Sequence, residues 1–199
     1  MKIAAVIKLD KVTNKKINNL KFFFKKEQKK CLYINDFPHI TLLSARIKLN
    51  LNQLRQTSLN IKYKPIKINI LKPQIFYDDQ LTGGKTFIFN VKKNKKLLDL
   101  QLNVSNFFKK YLNKVKINNT FLNRSKEYKS FKKYGFPYVG KHWIPHVTIC
   151  SVLDKNINKK VFKKFAISKI NSNFLIDNLF LCIVTKNSLK IVKKIKFIN

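Results

Sequence analysis

Acidic side chains are scarce in this 199-residue chain: nine Asp and Glu stand against 43 Lys and Arg, a formal net charge of +34. One reading of that surplus is a partner made of phosphates, RNA or nucleotides above all. Arginine is scarce as well. Arg46, Arg55 and Arg124 stand beside 40 lysines, although arginine is the better bidentate reader of phosphate. The surplus is therefore equally the mark of a composition crowded with Lys, Asn, Ile and Phe, and on either reading its field draws anions. Cysteine is limited to Cys31, Cys150 and Cys182. An odd, small number with no CxxC spacing excludes a disulfide framework and points to a reducing, cytoplasmic setting. No stretch approaches the ~20 consecutive apolar residues of a membrane-crossing helix. The opening run MKIAAVIKLD is interrupted by Lys8 and Asp10 too soon for a secretory signal. A monomer with no membrane contact is expected. HExxH, GxSxG and phosphate-loop glycine spacing are all missing, and the nine acids form no convincing carboxylate pair.

Apolar residues, by contrast, are plentiful: 45% of the chain is hydrophobic and 13% aromatic, enough for one sizeable core or two small lobes. Ile3 to Leu9 and Pro38 to Ser44 read as strands. Val12 to Gln28 has Val12, Ile17, Leu20, Phe23 and Phe24 at helical spacing, and Leu49 to Leu59 reads as a shorter helix. Tyr63 to Tyr77 and Thr86 to Val91 alternate in the manner of strands around Gly83-Gly84, which predicts a hairpin. Leu97 to Leu112 carries the strongest helical pattern. Lys114 to His142 is irregular and predicts a long loop with at most one short helical turn, of the kind that often forms lids or binding segments. Ile144 to Leu153 follows as a strand and Asn156 to Ala166 as a helix. Phe174 to Thr185 and Leu189 to Ile198 read as a final hairpin turning near Asn187-Ser188. The order of elements repeats weakly about Asp78 to Gly84, as a duplicated α/β unit would, with no linker separating independent domains.

Two short motifs sit at related places in that repeat. The first is Asp36-Phe37-Pro38-His39-Ile40-Thr41-Leu42 and the second Trp143-Ile144-Pro145-His146-Val147-Thr148-Ile149. Residues i and i+2 share one face of a strand. His39 and Thr41 therefore point together, as do His146 and Thr148, while Ile40, Leu42, Val147 and Ile149 face the opposite way and can anchor a core. A threonine two residues after a histidine arises by chance in roughly one case in ten. Here two of three histidines have one, both after proline and before a β-branched residue. The chemistry that fits is at a phosphodiester. One neutral imidazole can take a proton and a protonated one can give a proton, while two hydroxyls can donate to the non-bridging oxygens. Acid, base and oxyanion donors are then all present, so neither metal nor cofactor is expected. Cys150, on the face of His146 at i+4, would be the start of a zinc site, but no acidic or CxxC ligands accompany it; a small buried residue is the simpler reading. His142 lacks the pattern.

These motifs resemble the 2H phosphoesterase superfamily, which includes 2′-5′ RNA ligase-like proteins, cyclic phosphodiesterases and viral 2′,5′-oligoadenylate phosphodiesterases. The matching residues are His39, Thr41, His146 and Thr148 with their apolar flanks, and chain length and element order fit as well. The resemblance implies one bilobal α+β domain over residues 1–199: a duplicated α/β fold in which two antiparallel sheets flank a central cleft, with helices outside. It also implies metal-free hydrolysis or transesterification of 2′,3′-cyclic or 2′-5′-linked phosphate, in RNA or a nucleotide. Alternatives are hydrolysis of a cyclic dinucleotide or oligoadenylate signal in virus–host conflict, and a non-catalytic basic module that binds RNA. Phe37, Tyr138 and Trp143 lie near the motifs and are candidates to stack on a base, although large aromatics such as Phe37 and Trp143 more often fill cores. Lys141 is a candidate to neutralise phosphate. Which histidine is acid and which is base stays open.

Overall fold

Hydrophobic alternation and helix caps together account for the elements. In the computed structural model, which describes residues 1–113, 125–154, 156–186 and 188–198, β1 (Lys2–Lys8) buries five successive residues because Ile3, Ala5 and Ile7 face the main core while Ala4 and Val6 are covered on the other face by Phe37 and Phe180. Asp10 accepts from the Val12 and Thr13 amides and starts α1 (Lys11–Glu27), satisfying two of the donors a helix start leaves open. Next come β2 (Cys31–Leu32), β3 (His39–Arg46) and α2 (Leu51–Gln56), the last closed by a capping box between Asn50 and Gln53. The hairpin expected around Gly83-Gly84 forms from β4 (Ile66–Phe76) and β5 (Lys85–Val91). Its turn needs glycine twice. Gly83 has φ +73°, and a Cβ on Gly84 would meet the Val152 carbonyl at 2.5 Å. The rest are α3 (Lys95–Lys109), α4 (Ser125–Tyr134), β6 (His146–Val152), α5 (Lys159–Ala166), β7 (Ser172–Ile176), β8 (Asn178–Val184) and β9 (Leu189–Lys196).

The strands run β7-β4-β5-β6-β3-β1-β8-β9 in space, every neighbour antiparallel, with β2 added beside β6. This is an α+β fold. The two expected sheets are its two halves, β7-β4-β5-β6 and β3-β1-β8-β9, and they meet at a single bridged pair, Ile40 with Val147. Both residues are fully buried. The two halves therefore form one nine-stranded sheet with a narrow seam, and the seam is made by the two histidine strands.

The helices cross that seam. α1 leaves β1 and packs on β6 and α5 of the other half, while α3 leaves β5 and packs on β3. One continuous core results, with Phe24, Phe87 and Phe165 edge-to-face at centroid distances of 5.0 to 6.0 Å. The opposite face of the sheet carries no helix among the described residues, only a small apolar cluster of Ala4, Val6 and Cys182 with Phe37 and Phe180 against it. Among the described residues no helix is long and apolar enough to cross a membrane.

Two expectations change. The single strand over 174–185 is two strands that join opposite halves: β7 pairs with β4, and β8 pairs with β1 and β9. Continuous apolar character hides the change of partner at Asp177. The irregular segment 114–142 contains the ten-residue helix α4, whose aromatics Tyr128, Phe131 and Tyr134 recur every third residue but are too few among its lysines to stand out from a loop; residues 114–124 lie outside the described part, as does Asn187 of the last turn.

Candidate active site

Proline precedes each motif and is buried at the strand entry, Pro38 before β3 and Pro145 before β6, where no ladder donor is needed. The strands then behave as period two requires. Ile40, Leu42, Val147 and Ile149 are fully buried on the helix side, and His39, Thr41, His146 and Thr148 are half-buried on the open side. Because Ile40 pairs with Val147 in antiparallel sense, the register one residue either way sets His39 across from Thr148 and Thr41 across from His146. Each imidazole is thereby placed on the same face as the other motif's hydroxyl, one residue from the bridged pair. The rings are near enough that a charge on His146 opposes one on His39.

Both strands carry an extra residue at the same place. β1 pairs Val6 with Thr41 but Ala5 with Leu43, leaving Leu42 bulged; β5 pairs Ile88 with Thr148 but Phe87 with Cys150, leaving Ile149 bulged. Bulges of this kind bend a strand and re-aim its side chains, and here both follow the threonine directly. Gln101, fully buried on α3, holds one of them: its Nε2 donates to the Leu42 carbonyl at 3.1 Å, while its Oε1 accepts from the Gly140 amide at 3.0 Å. It thus ties β3 to the segment that leads into β6.

The ring orientations match. His39 Nδ1 lies 2.7 Å from the Phe37 carbonyl, and His146 Nδ1 lies 2.7 Å from the Ile144 carbonyl. A carbonyl only accepts, so each Nδ1 carries the hydrogen and each Nε2 keeps its lone pair for another partner. An aromatic ring packs on each imidazole: Phe37 on His39 and Phe76 of β4 on His146, both at 5.4 Å between centroids.

Their charges differ. Burial pushes His39 down to about 4; the bond to Phe37 opposes this, and the Lys21 and His146 charges add to it. His146 is also lowered by burial, but the Asp79 carboxylate works in the other direction. Lys21 is a buried lysine whose Nζ donates to the Tyr33 carbonyl at 2.7 Å and the Asp36 carbonyl at 2.9 Å, and burial lowers it to about 8. Asp79 lies in the β4–β5 turn and accepts from Thr86 Oγ1 at 2.5 Å.

Of the other residues singled out in the sequence, Phe37 reaches the His39 ring. Trp143 packs in the core at 3% exposure, and its indole N–H donates to the Thr41 carbonyl at 3.0 Å, which steadies β3 from below. Tyr138 packs against the main core beside Phe136. Lys141 is exposed in the 3₁₀ turn Gly140–His142. Cys150 is buried. Among the described residues no three His, Cys, Asp or Glu side chains gather as a metal site would require. Lys21, Asp79, Phe76 and Lys8, which pairs with His39, had no local signal, because their role depends on which strands become neighbours.

No family model and no curated protein sequence matches this chain. Solved structures do match along its whole length. The crystal structure of TT0787 of Thermus thermophilus is similar with TM-score 0.62 at 11% identity, covering 99% of this chain and 98% of that one. A structure described as a phosphoesterase is similar with TM-score 0.59 at 8% identity, covering 100% and 98%. E. coli LigT complexed with ATP is similar with TM-score 0.56 at 9% identity, covering 100% and 98%. The shared property is the fold.

Proposed function

We propose that this chain is a 2H-type phosphodiesterase that opens 2′,3′-cyclic phosphate, or cleaves a 2′-5′ linkage, in RNA or a nucleotide without a metal ion. The observation that carries this reading is the seam itself. Two His–Thr pairs on adjoining antiparallel strands turn to one face of the sheet, and each imidazole keeps its Nε2 out of its backbone bond. The likeness of fold to a phosphoesterase is consistent with it. E. coli LigT is complexed with NADP+ in one structure and ATP in another, which supports a nucleotide-sized anion as ligand.

In this mechanism one Nε2 takes the proton of the attacking water or hydroxyl. The other, protonated, gives its proton to the departing oxygen, and Thr41 and Thr148 donate to the non-bridging oxygens. A bound phosphate raises both imidazoles. Asp79 favours the charged form of His146, whereas Lys21 opposes it at His39. These neighbours favour His39 as the base and His146 as the acid.

The test is incubation with nucleoside 2′,3′-cyclic phosphates, 2′-5′ oligoadenylate and cyclic dinucleotides, with products read by mass. One of the first two classes should be consumed. His39→Ala and His146→Ala should each lower turnover by ~10²–10⁴ or more, with circular dichroism unchanged, and EDTA should have no effect. Turnover that survives both substitutions, or vanishes with EDTA, overturns the mechanism. Consumption of cyclic dinucleotides alone overturns the substrate assignment.

A further inference from the structure

The 40 lysines cover the whole chain, so their number says little; the open face of the sheet arranges a few of them. Strand pairing orders that face on the His39 side. Lys8 pairs with His39, Val6 with Phe180, Phe180 with Lys194 and Asn178 with Lys196. Leu179, Leu181 and Ile195 turn to the main core, so Phe180, Lys194 and Lys196 turn outward with Val6. Lys8, Lys194 and Lys196 are exposed and Phe180 half-exposed. The Lys8 ammonium lies 5.3 Å from the Phe180 ring centroid and 5.6 Å from that of Phe37. Strand spacing of 4.7–4.9 Å puts β9 about 14 Å from β3. The surface beside His146 is different in kind: Asn90 pairs with His146 and donates to Gln74, and Thr86 donates to Asp79. Cations interleaved with aromatic faces meet the two needs of single-stranded nucleic acid, phosphate neutralisation and base stacking.

We propose that the open face of the β3-β1-β8-β9 half is a track for single-stranded RNA, running from the His39 strand across Lys8 and Phe180 to Lys194 and Lys196. It holds the nucleotides that adjoin the scissile phosphate. That last point rests on the function proposed above; the track itself does not. The substrate is then an RNA end rather than a free mononucleotide or a cyclic dinucleotide, since only a chain reaches β9.

The test measures binding and turnover separately. A fluorescent single-stranded oligoribonucleotide is titrated across a salt series with the wild type, with Lys194→Gln/Lys196→Gln, and with Lys163→Gln/Lys164→Gln on α5 as an equal-charge control; both control lysines are exposed on the helix side. Each lost phosphate contact lowers the log–log salt slope by ~0.7 for a single strand, so the β9 pair should lower it by about 1.4 and the α5 pair by far less. Phe180→Leu should weaken binding about five- to a hundredfold with little change in slope. On an oligoribonucleotide ending in 2′,3′-cyclic phosphate, the β9 variant should lose at least about tenfold more kcat/KM than on a mononucleoside 2′,3′-cyclic phosphate, in line with those contacts. Equal slopes for the β9 and α5 variants overturn the track, whatever the turnover. Poly-glutamate bound as tightly as the RNA and weakened by the same pair would overturn it as well. Slopes as expected but no turnover by the wild type of either substrate, or of 2′-5′ oligoadenylate, would leave the track standing and sink the phosphodiesterase reading.

Discussion

At the scale of the residue, the matched Nδ1 bonds of His39 and His146 fix ring plane and tautomer by one local contact each, to the carbonyl two positions earlier. The rings then diverge through distant neighbours, Lys21 and Asp79. Burial makes the pH dependence of folding legible. His39 sits at about 4 in the folded chain against an ordinary 6.5. Between those values the unfolded chain binds a proton that the folded chain refuses, so stability should fall as pH drops from about 6.5 to about 4. His146 contributes in the same direction. Urea midpoints at several pH values should show this decline, and it should be shallower in His39→Gln. An equally steep decline in that variant would mean that the imidazole is not held neutral by burial.

At the scale of the element, the histidine strands depend on what braces them. Leu42 and Ile149 are inserted at equivalent points, and each insertion reverses the alternation, so His39 and Thr41 keep the open face while Leu43 returns to the core. Gln101 clamps the first of these bulges to the segment entering β6. Gln101→Met keeps the volume but leaves the Leu42 carbonyl and the Gly140 amide without their partner. An unsatisfied buried polar group costs ~1–3 kcal/mol, so a loss of about 2–4 kcal/mol is expected for the pair. The denaturant midpoint should fall at unchanged m-value. A loss below about 0.5 kcal/mol would show that water replaces the clamp.

At the scale of the molecule, a net charge of +34 on 199 residues means that the compact state works against its own repulsion. Raising salt from about 0.01 M to about 0.15 M shortens the screening length from about 30 Å to about 8 Å. The thermal midpoint of the free protein should therefore rise over that range, opposite to the trend for RNA binding, which salt weakens. A midpoint that falls with salt would mean that attractive charge pairs dominate. The charge also explains why the open side of the sheet matters: the helix side is occupied by core packing, and the open side keeps its cations available.

The sequence alone determined the strands and helices with strong periodicity, the hairpin at Gly83-Gly84, and the shared face of His39 with Thr41 and of His146 with Thr148, because period two and a repeated proline–histidine–threonine pattern are local. Tertiary structure decided everything that depends on which strands become neighbours. It joined the two halves at Ile40 and Val147, sent β7 and β8 to opposite halves, brought Lys21, Asp79 and Phe76 to the rings, and took Trp143 into the core. Pairing across more than a hundred residues is set by the packing of α1 and α3 over the seam, and no window of sequence contains that information.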